Sequence, residues 1–97
     1  MNSIHSVLIL DPSASIRLLI CRIAEECGWH AIAVATLADA NVALENGSFD
    51  LVTTATHLAE GSYLQALDYL RAQPELQLTP IVLITGDAVE TCLDRAL

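Results

Sequence analysis

The sequence predicts an α/β fold, in which helices pack on the faces of a parallel β-sheet. Short continuous apolar runs, typical of strands buried on both faces, occur four times along the chain. Each run is followed by a segment with helix signals, such as a capping residue or apolar residues at three- and four-residue spacing. Parallel strands need crossover connections, so this alternation predicts one parallel sheet whose functional edge is at the carboxyl ends of its strands.

The first strand and the first helix are predicted at residues 6–10 and 14–27. The strand ends at Asp11, and Ser13 is placed to cap the helix. Gly28 is a natural stop at the C-terminal end. One stripe of the helix is apolar, and we expect it to face the core: Ile16, Leu19, Ile20, Ile23 and Cys27.

The remaining elements follow in the same alternating order. Thr36 and Asp39 form a variant of the capping box at the start of the second helix, which ends at Asn46 and Gly47. Pro74 breaks the third helix. The predicted ranges are 31–35 for the second strand, 50–55 for the third strand, 56–61 for a loop, 62–72 for the third helix, 81–84 for the fourth strand and 88–97 for a last amphipathic helix.

Length and composition limit the functions that this chain can have. Its 97 residues suit a single small domain with a modest core. No apolar run approaches the ~20 residues that span a membrane, and no secretory signal opens the sequence, so we expect a cytoplasmic protein. The formal net charge is −8, and every basic residue is an arginine. Such a surface repels phosphate backbones and anionic lipids, so we expect no binding to nucleic acid or membranes.

The cysteines are too few and too widely spaced to form a disulfide framework. Cys21, Cys27 and Cys92 include no Cys-x-x-Cys pair. We therefore expect reduced thiols that contribute to packing, and no disulfide network or zinc site.

Three residues follow or end predicted strands and should meet at one edge of the sheet. They are Asp11, Ala55 and Thr85. Asp11 is interpreted mainly as a carboxylate that helps to cap the first helix, with metal binding as the less favoured alternative. Thr85 is either a functional hydroxyl residue or a residue that satisfies backbone groups at a strand end. His57 is interpreted as an exposed loop residue.

Taken together, these segments resemble the response-regulator receiver (CheY-like) domain of two-component signalling. The run VLILD at residues 7–11 is similar to the first strand of that family, and FDLV at residues 49–52 to the entry of its phosphoacceptor strand. The run TPIVLITG at residues 79–86 resembles the family's fourth strand. The resemblance implies a flavodoxin-like, doubly wound parallel sheet of strand order 2-1-3-4, truncated here to four strand–helix units.

The sequence differs from the family at the residues that carry out phosphoryl transfer. Ala55 occupies the position of the family's phosphoacceptor, and alanine has no side-chain oxygen. Pro12 replaces one of the two acids that hold magnesium in the family, and Asp11 matches the other only in part. Thr85 matches the family's hydroxyl residue, but the chain has no lysine to pair with a phosphoryl group. We therefore expect no phosphoacceptor, no catalytic residue, no metal and no cofactor.

The missing fifth unit has a structural consequence. It would leave the fourth strand at the edge of the sheet and part of an apolar face bare. The 97 residues are expected to form a single receiver-like domain, either complete or the N-terminal part of a longer protein.

The sequence thus predicts a degenerate receiver, or pseudo-receiver, that is not an enzyme and acts in signalling without phosphorylation. Its partner would be another protein, a linked output domain or a second copy of itself. Leu18 and Cys21, beside Arg22 on one flank of the first helix, are interpreted either as ordinary scattered surface residues or, as a second interpretation, as the predicted interface with a partner. Two alternatives stay open: a receiver that accepts phosphate at an unorthodox residue, and a small-ligand sensor that uses the space near Ala55.

Overall fold

The computed structural model describes residues 5–58 and 61–84, which are built around a four-stranded parallel sheet. Six strands are present in this part of the chain: β1 (Ser6–Leu10), β2 (His30–Val34), β3 (Leu51–Ala55), β4 (His57–Leu58), β5 (Gly61–Ser62) and β6 (Ile81–Ile84). The main sheet has the order β2-β1-β3-β6, and all its pairings are parallel. Counted among themselves, its strands have the order 2-1-3-4, which confirms the prediction.

Three α-helices connect these strands, and capping residues fix where two of them begin. They are α1 (Ala14–Glu26), α2 (Leu37–Asn46) and α3 (Tyr63–Arg71), followed by a short 3-10 turn at Pro74–Leu76. Ser13 Oγ accepts a hydrogen bond from the Ile16 amide at 3.3 Å, and Thr36 Oγ1 accepts one from the Asp39 amide at 3.1 Å. Both predicted N-caps are therefore confirmed.

Gly28 ends α1 as predicted, in a left-handed conformation with φ of +85°. Its amide donates to Glu25 O at 3.0 Å, and the Trp29 amide donates to Ala24 O at 2.9 Å. This pair of bonds is the Schellman motif, which favours glycine because a β-carbon is strained at positive φ.

The main core lies on the face of the sheet that α2 and α3 cover. Leu8, Leu10 and Val52 of the sheet are fully buried there, and they pack with Leu44 of α2 and Leu70 of α3. Neighbouring strand residues point to opposite faces, so Val7, Ile9 and Thr53 face the side of α1. The helices thus lie on both faces of the sheet, as in a doubly wound fold.

The apolar stripe predicted to face the core from α1 is largely wrong. Ile16, Leu19 and Ile23 are 37%, 54% and 53% exposed, and no residue of α1 is fully buried. The physical reason is position: α1 packs mainly over β1 and β2, so its side toward β3 borders an open groove, lined also by Leu51 and Thr53, and is only partly covered. Ile20 alone of the stripe is partly buried.

Two further predictions need comment. The loop predicted at residues 56–61 contains the antiparallel pairing of β4 with β5, which is too short to leave a periodic signal in the sequence. The helix predicted at residues 88–97 lies outside the described residues. Within the described ranges, no helix is long and apolar enough to cross a membrane.

Candidate functional site

The candidate site lies at the carboxyl edge of the sheet. Asp11 follows β1 there, and Ala55 ends the neighbouring strand β3. Leu10 of β1 is registered with Thr54 of β3, so Asp11 and Ala55 are adjacent positions along this edge. Ala55 is registered in turn with Ile84 of β6. Both site residues are buried, with exposures of 6% for Asp11 and 8% for Ala55. Thr85, the third predicted site residue, lies outside the described residues.

Asp11 is held in place by three hydrogen bonds, to the β1–α1 turn, to α1 and to β2. Its Oδ1 accepts from the Ser13 amide at 2.8 Å, and its carbonyl oxygen accepts from Arg17 Nη1 at 2.7 Å. Its amide donates to Val34 O at 3.0 Å. The carboxylate therefore forms an Asx turn that positions the capping residue of α1, a structural task that agrees with its preferred interpretation.

The side chains that the structure describes at this edge supply too few oxygen ligands for a magnesium ion. Magnesium needs about six oxygen ligands in near-octahedral geometry. Asp11 supplies one carboxylate, part of which is already engaged by Ser13, while Pro12 supplies no side-chain oxygen. Ala55 offers only its carbonyl, which accepts from Thr54 Oγ1 at 3.2 Å. Among the described residues, no group of three or more His, Cys, Asp or Glu side chains could hold a metal ion.

The predicted interface on α1 is only partly at the surface. Leu18 is 56% exposed and Arg22 is also exposed, whereas Cys21 is partly buried. Burial raises the pKa of the Cys21 thiol; the negative charge of Glu25 adds to this rise, and Arg17 opposes it. The raised pKa leaves less of the Cys21 thiol in the reactive thiolate form near neutral pH.

Sequence reasoning missed two arginines that tie loops to helices. Arg17 reaches back to the Asp11 carbonyl, and Arg71 Nη1 donates to Leu76 O at 2.7 Å and to Thr79 O at 2.8 Å. Arg71 therefore fixes the connection from α3 to β6. The sequence offered one signal for this role: Arg71 is the basic residue in the last turn of α3. Cations at that end of a helix can bind the carbonyl groups that have no partner within the helix.

Known proteins that resemble the chain support this assignment of the fold. No family model matches it. It is 30% identical over 90 residues to the swarming motility regulation protein RssB of Serratia marcescens, covering 92% of this chain and 40% of that protein. The chain thus spans less than half of this relative.

Solved structures resemble the chain over most of its length. A CheY-like response regulator receiver domain from Methylobacillus flagellatus has a TM-score of 0.79 and 25% identity, with 87% of this chain and 71% of that chain covered. The chemotaxis response regulator CheY4 of Vibrio cholerae has a TM-score of 0.82 and 20% identity, with 95% and 78% covered. The chain therefore has the fold of CheY-like response-regulator receiver domains.

Proposed function

We propose that this chain is a receiver domain of two-component signalling that works without phosphorylation, as a protein-interaction or regulatory module. One observation carries the proposal: Ala55 occupies the buried strand end beside Asp11 where a phosphoacceptor carboxylate would have to stand. The receiver fold is kept around this position, while the nucleophile is absent from it.

The chemistry of phosphoryl transfer supports the same conclusion. The reaction depends on a nucleophile and on positive charge that stabilises the transferring group. Ala55 supplies no nucleophile, and Asp11 is committed to the turn before α1. In the part of the chain that the structure describes, the basic side chain at this edge is Arg17, which donates to a main-chain carbonyl. The domain itself therefore has no phosphotransfer activity.

A receiver without this reaction acts through its surface. Its partner is another protein or a linked output domain, and self-association is a further way in which it could act. The net charge of −8 makes nucleic acid and anionic membranes unfavourable partners. A cytoplasmic location agrees with this role.

Phosphodonor labelling tests the proposal directly. The chain is incubated with acetyl phosphate and millimolar magnesium, and its intact mass is measured beside a receiver of known activity as the positive control. We expect no phosphorylated species and no hydroxylamine-sensitive product. A stoichiometric product would contradict the proposal and favour an unorthodox acceptor, and its loss in Asp11→Asn would identify that acceptor.

A further inference from the structure

The strand β2 forms one edge of the main sheet, and its outer side has no partner within the described residues. In the order β2-β1-β3-β6, it lies at the opposite end of the sheet from β6, the last described element. The unpaired groups of an edge strand are a template for another strand, and proteins commonly protect such edges with charged residues or proline. The range His30–Val34 contains no proline, acid, lysine or arginine, so this edge is unprotected.

The bonds between β2 and β1 show which main-chain groups point outward. The His30 amide donates to His5 O at 2.8 Å, in the register that aligns the two strands. In a parallel ladder every second residue bonds to the same neighbour. The residues of β2 that bond to β1 are therefore His30, Ile32 and Val34. The amides and carbonyls of the other two residues, Ala31 and Ala33, point away from the sheet.

These two alanines make the edge complementary to itself. In an antiparallel pairing about a two-fold axis at Ile32, Ala31 of one copy stands opposite Ala33 of the other. Residues opposed in this way exchange both of their main-chain hydrogen bonds. A two-fold axis repeats the same exchange on its other side, so the contact is closed and involves two copies only. The pairing uses the whole strand and leaves none of its outward groups without a partner.

The helix α1 adds a second contact beside the same edge. It packs mainly over β1 and β2, which makes it the helix on its face of the sheet that lies next to this edge. The two-fold axis is perpendicular to the sheet, so both copies of α1 lie on the same face. With neighbouring strands about 4.8 Å apart, the two helices come to about 10 Å from each other, close to the distance at which helices pack.

The side of α1 that faces this edge presents an exposed leucine. Ile23 lines the groove on the β3 side of the helix. At about 100° per residue, Leu18 lies roughly 140° around the helix from Ile23, on the β2 side. Leu18 is 56% exposed. Arg22 and Glu25 lie on the same flank and have opposite charges, so the flank carries no net charge.

The distribution of charge favours a second copy at this edge. Two chains of net charge −8 repel each other over most of their surfaces. The longest stretch of the sequence without an acid, lysine or arginine is 27–38, and it contains β2. Two copies that meet there bring together uncharged strands. A foreign strand that relied on lysines or arginines would find no carboxylate on β2 to pair with.

We propose that two copies of this chain associate through β2, in an antiparallel pairing centred on Ile32. The pairing joins the two sheets and packs α1 against its copy at Leu18. One short strand and one helix flank from each copy form a small interface, so the dimer is weak and reversible. This proposal rests on the proposed function as an interaction module and names the second copy as the partner.

Sedimentation equilibrium and amide exchange together test the proposal. From micromolar to millimolar concentration, we expect a monomer–dimer equilibrium that added salt shifts toward the dimer, because ions screen the repulsion between copies. Hydrogen exchange followed by NMR at both ends of this range locates the contact. The Ala31 and Ala33 amides should exchange at least about tenfold more slowly in the dimer. The Ile32 amide, which bonds to β1 in either state, is the internal reference.

Two variants interrupt the two parts of the contact. Ala33→Pro removes an outward amide and keeps every bond to β1, and proline is tolerated in edge strands when its nitrogen faces solvent. Leu18→Glu places like charges on the paired helices. Each variant should raise the dissociation constant of the dimer at least about tenfold. Because Leu18 is exposed, Leu18→Glu keeps the test valid even if Ala33→Pro fails to fold, which circular dichroism melts detect.

The matched control is the next residue of the same helix. Leu19 is 54% exposed, and its position roughly 100° further around α1 places it on the side away from the β2 edge. Leu19→Glu adds the same charge to the same helix as Leu18→Glu. Its dissociation constant should stay within about twofold of that of the unchanged chain.

Several results would overturn the proposal. A chain that stays monomeric at millimolar concentration would remove the dimer altogether. Protection of the Ala31 and Ala33 amides at every concentration would assign the edge to another segment of this chain. A dimer that survives Ala33→Pro, or that Leu18→Glu and Leu19→Glu weaken equally, would place the interface elsewhere on the surface.

The outcomes also separate this proposal from the proposed function. Phosphodonor labelling of a chain that still dimerises through β2 would remove the phosphorylation-independent role and leave the pairing intact. An unlabelled chain that stays monomeric would do the opposite.

Discussion

Replacing Thr53 with valine should make this domain more stable, although it removes a polar group from a small protein. Valine has nearly the shape of threonine, with a methyl group in place of the hydroxyl. At Thr53, a residue that is 6% exposed, this exchange removes a hydroxyl that has no partner within the described residues. It also suits the β-strand, where valine is favoured.

The size of the effect follows from the cost of the unpaired group. A buried polar group without a partner costs ~1–3 kcal/mol. Because Thr53 borders an open groove that admits some solvent, the lower end applies, so Thr53→Val should raise the free energy of unfolding by about 1 kcal/mol. For a domain of this size, that corresponds to a rise in Tm of about 4–8 °C.

The neighbouring threonine is the matched control. Thr54 is 1% exposed in the same strand, but its hydroxyl donates to the Ala55 carbonyl at 3.2 Å. Thr54→Val loses that bond, so its free energy of unfolding should fall by up to about 1 kcal/mol. Urea unfolding followed by circular dichroism measures both variants. Equal stabilities for Thr53→Val and Thr54→Val, or a loss at Thr53→Val, would refute the reasoning about the unpaired hydroxyl.

Further expectations concern the site, the loops and the thiols. Millimolar magnesium should leave the Tm unchanged in a thermal scan; a clear rise would show that the site binds the ion. Ala55→Asp places an unscreened carboxylate beside that of Asp11, so it should lower the free energy of unfolding by ~1–2 kcal/mol. The variant should also stay unlabelled by acetyl phosphate, and efficient labelling would show that the other site residues suffice for the reaction. Arg71→Gln should cost about 2–3 kcal/mol, because two carbonyls lose a charged donor, whereas the exposed Arg22→Gln should change stability by less than ~0.5 kcal/mol. Iodoacetamide should modify the exposed Cys27 before Cys21, because the raised pKa of Cys21 leaves less of it as thiolate near neutral pH. The modification rate of Cys21 should therefore keep increasing at alkaline pH. Peptide mass spectrometry measures both rates, and equal rates would contradict the burial of Cys21.

Local signals made most of the fold predictable from the sequence. Ser13, Thr36 and Gly28 act on the backbone within a few residues of themselves, and each has the predicted role. Strand β6 coincides with its predicted range, because Pro80 and the apolar run after it mark both its start and its length. The pairing of β4 with β5 was missed because two-residue strands have no periodicity to detect.

Long-range packing was harder to predict. A stripe of apolar residues on α1 indicates a preferred side but not whether another element covers that side, which explains the error at Ile16, Leu19 and Ile23. At the candidate site, strand order was enough to place Asp11 beside Ala55. The contact of Arg17 with the Asp11 carbonyl depends on how α1 is oriented after the turn, which no spacing in the sequence determines.

The acceptors that Arg17 and Arg71 use also determine how the domain responds to ionic strength. Both arginines bind neutral carbonyl groups at partly buried positions, where dissolved ions screen little. The exposed carboxylates, by contrast, repel one another through solvent, and this repulsion weakens as the Debye length falls from about 30 Å at 0.01 M to about 8 Å at 0.15 M salt. Added salt should therefore stabilise the fold by screening this repulsion, while it leaves the two arginine contacts nearly unchanged. The bonds that fix the loops and the charges that cover the surface therefore respond to dissolved ions independently of each other.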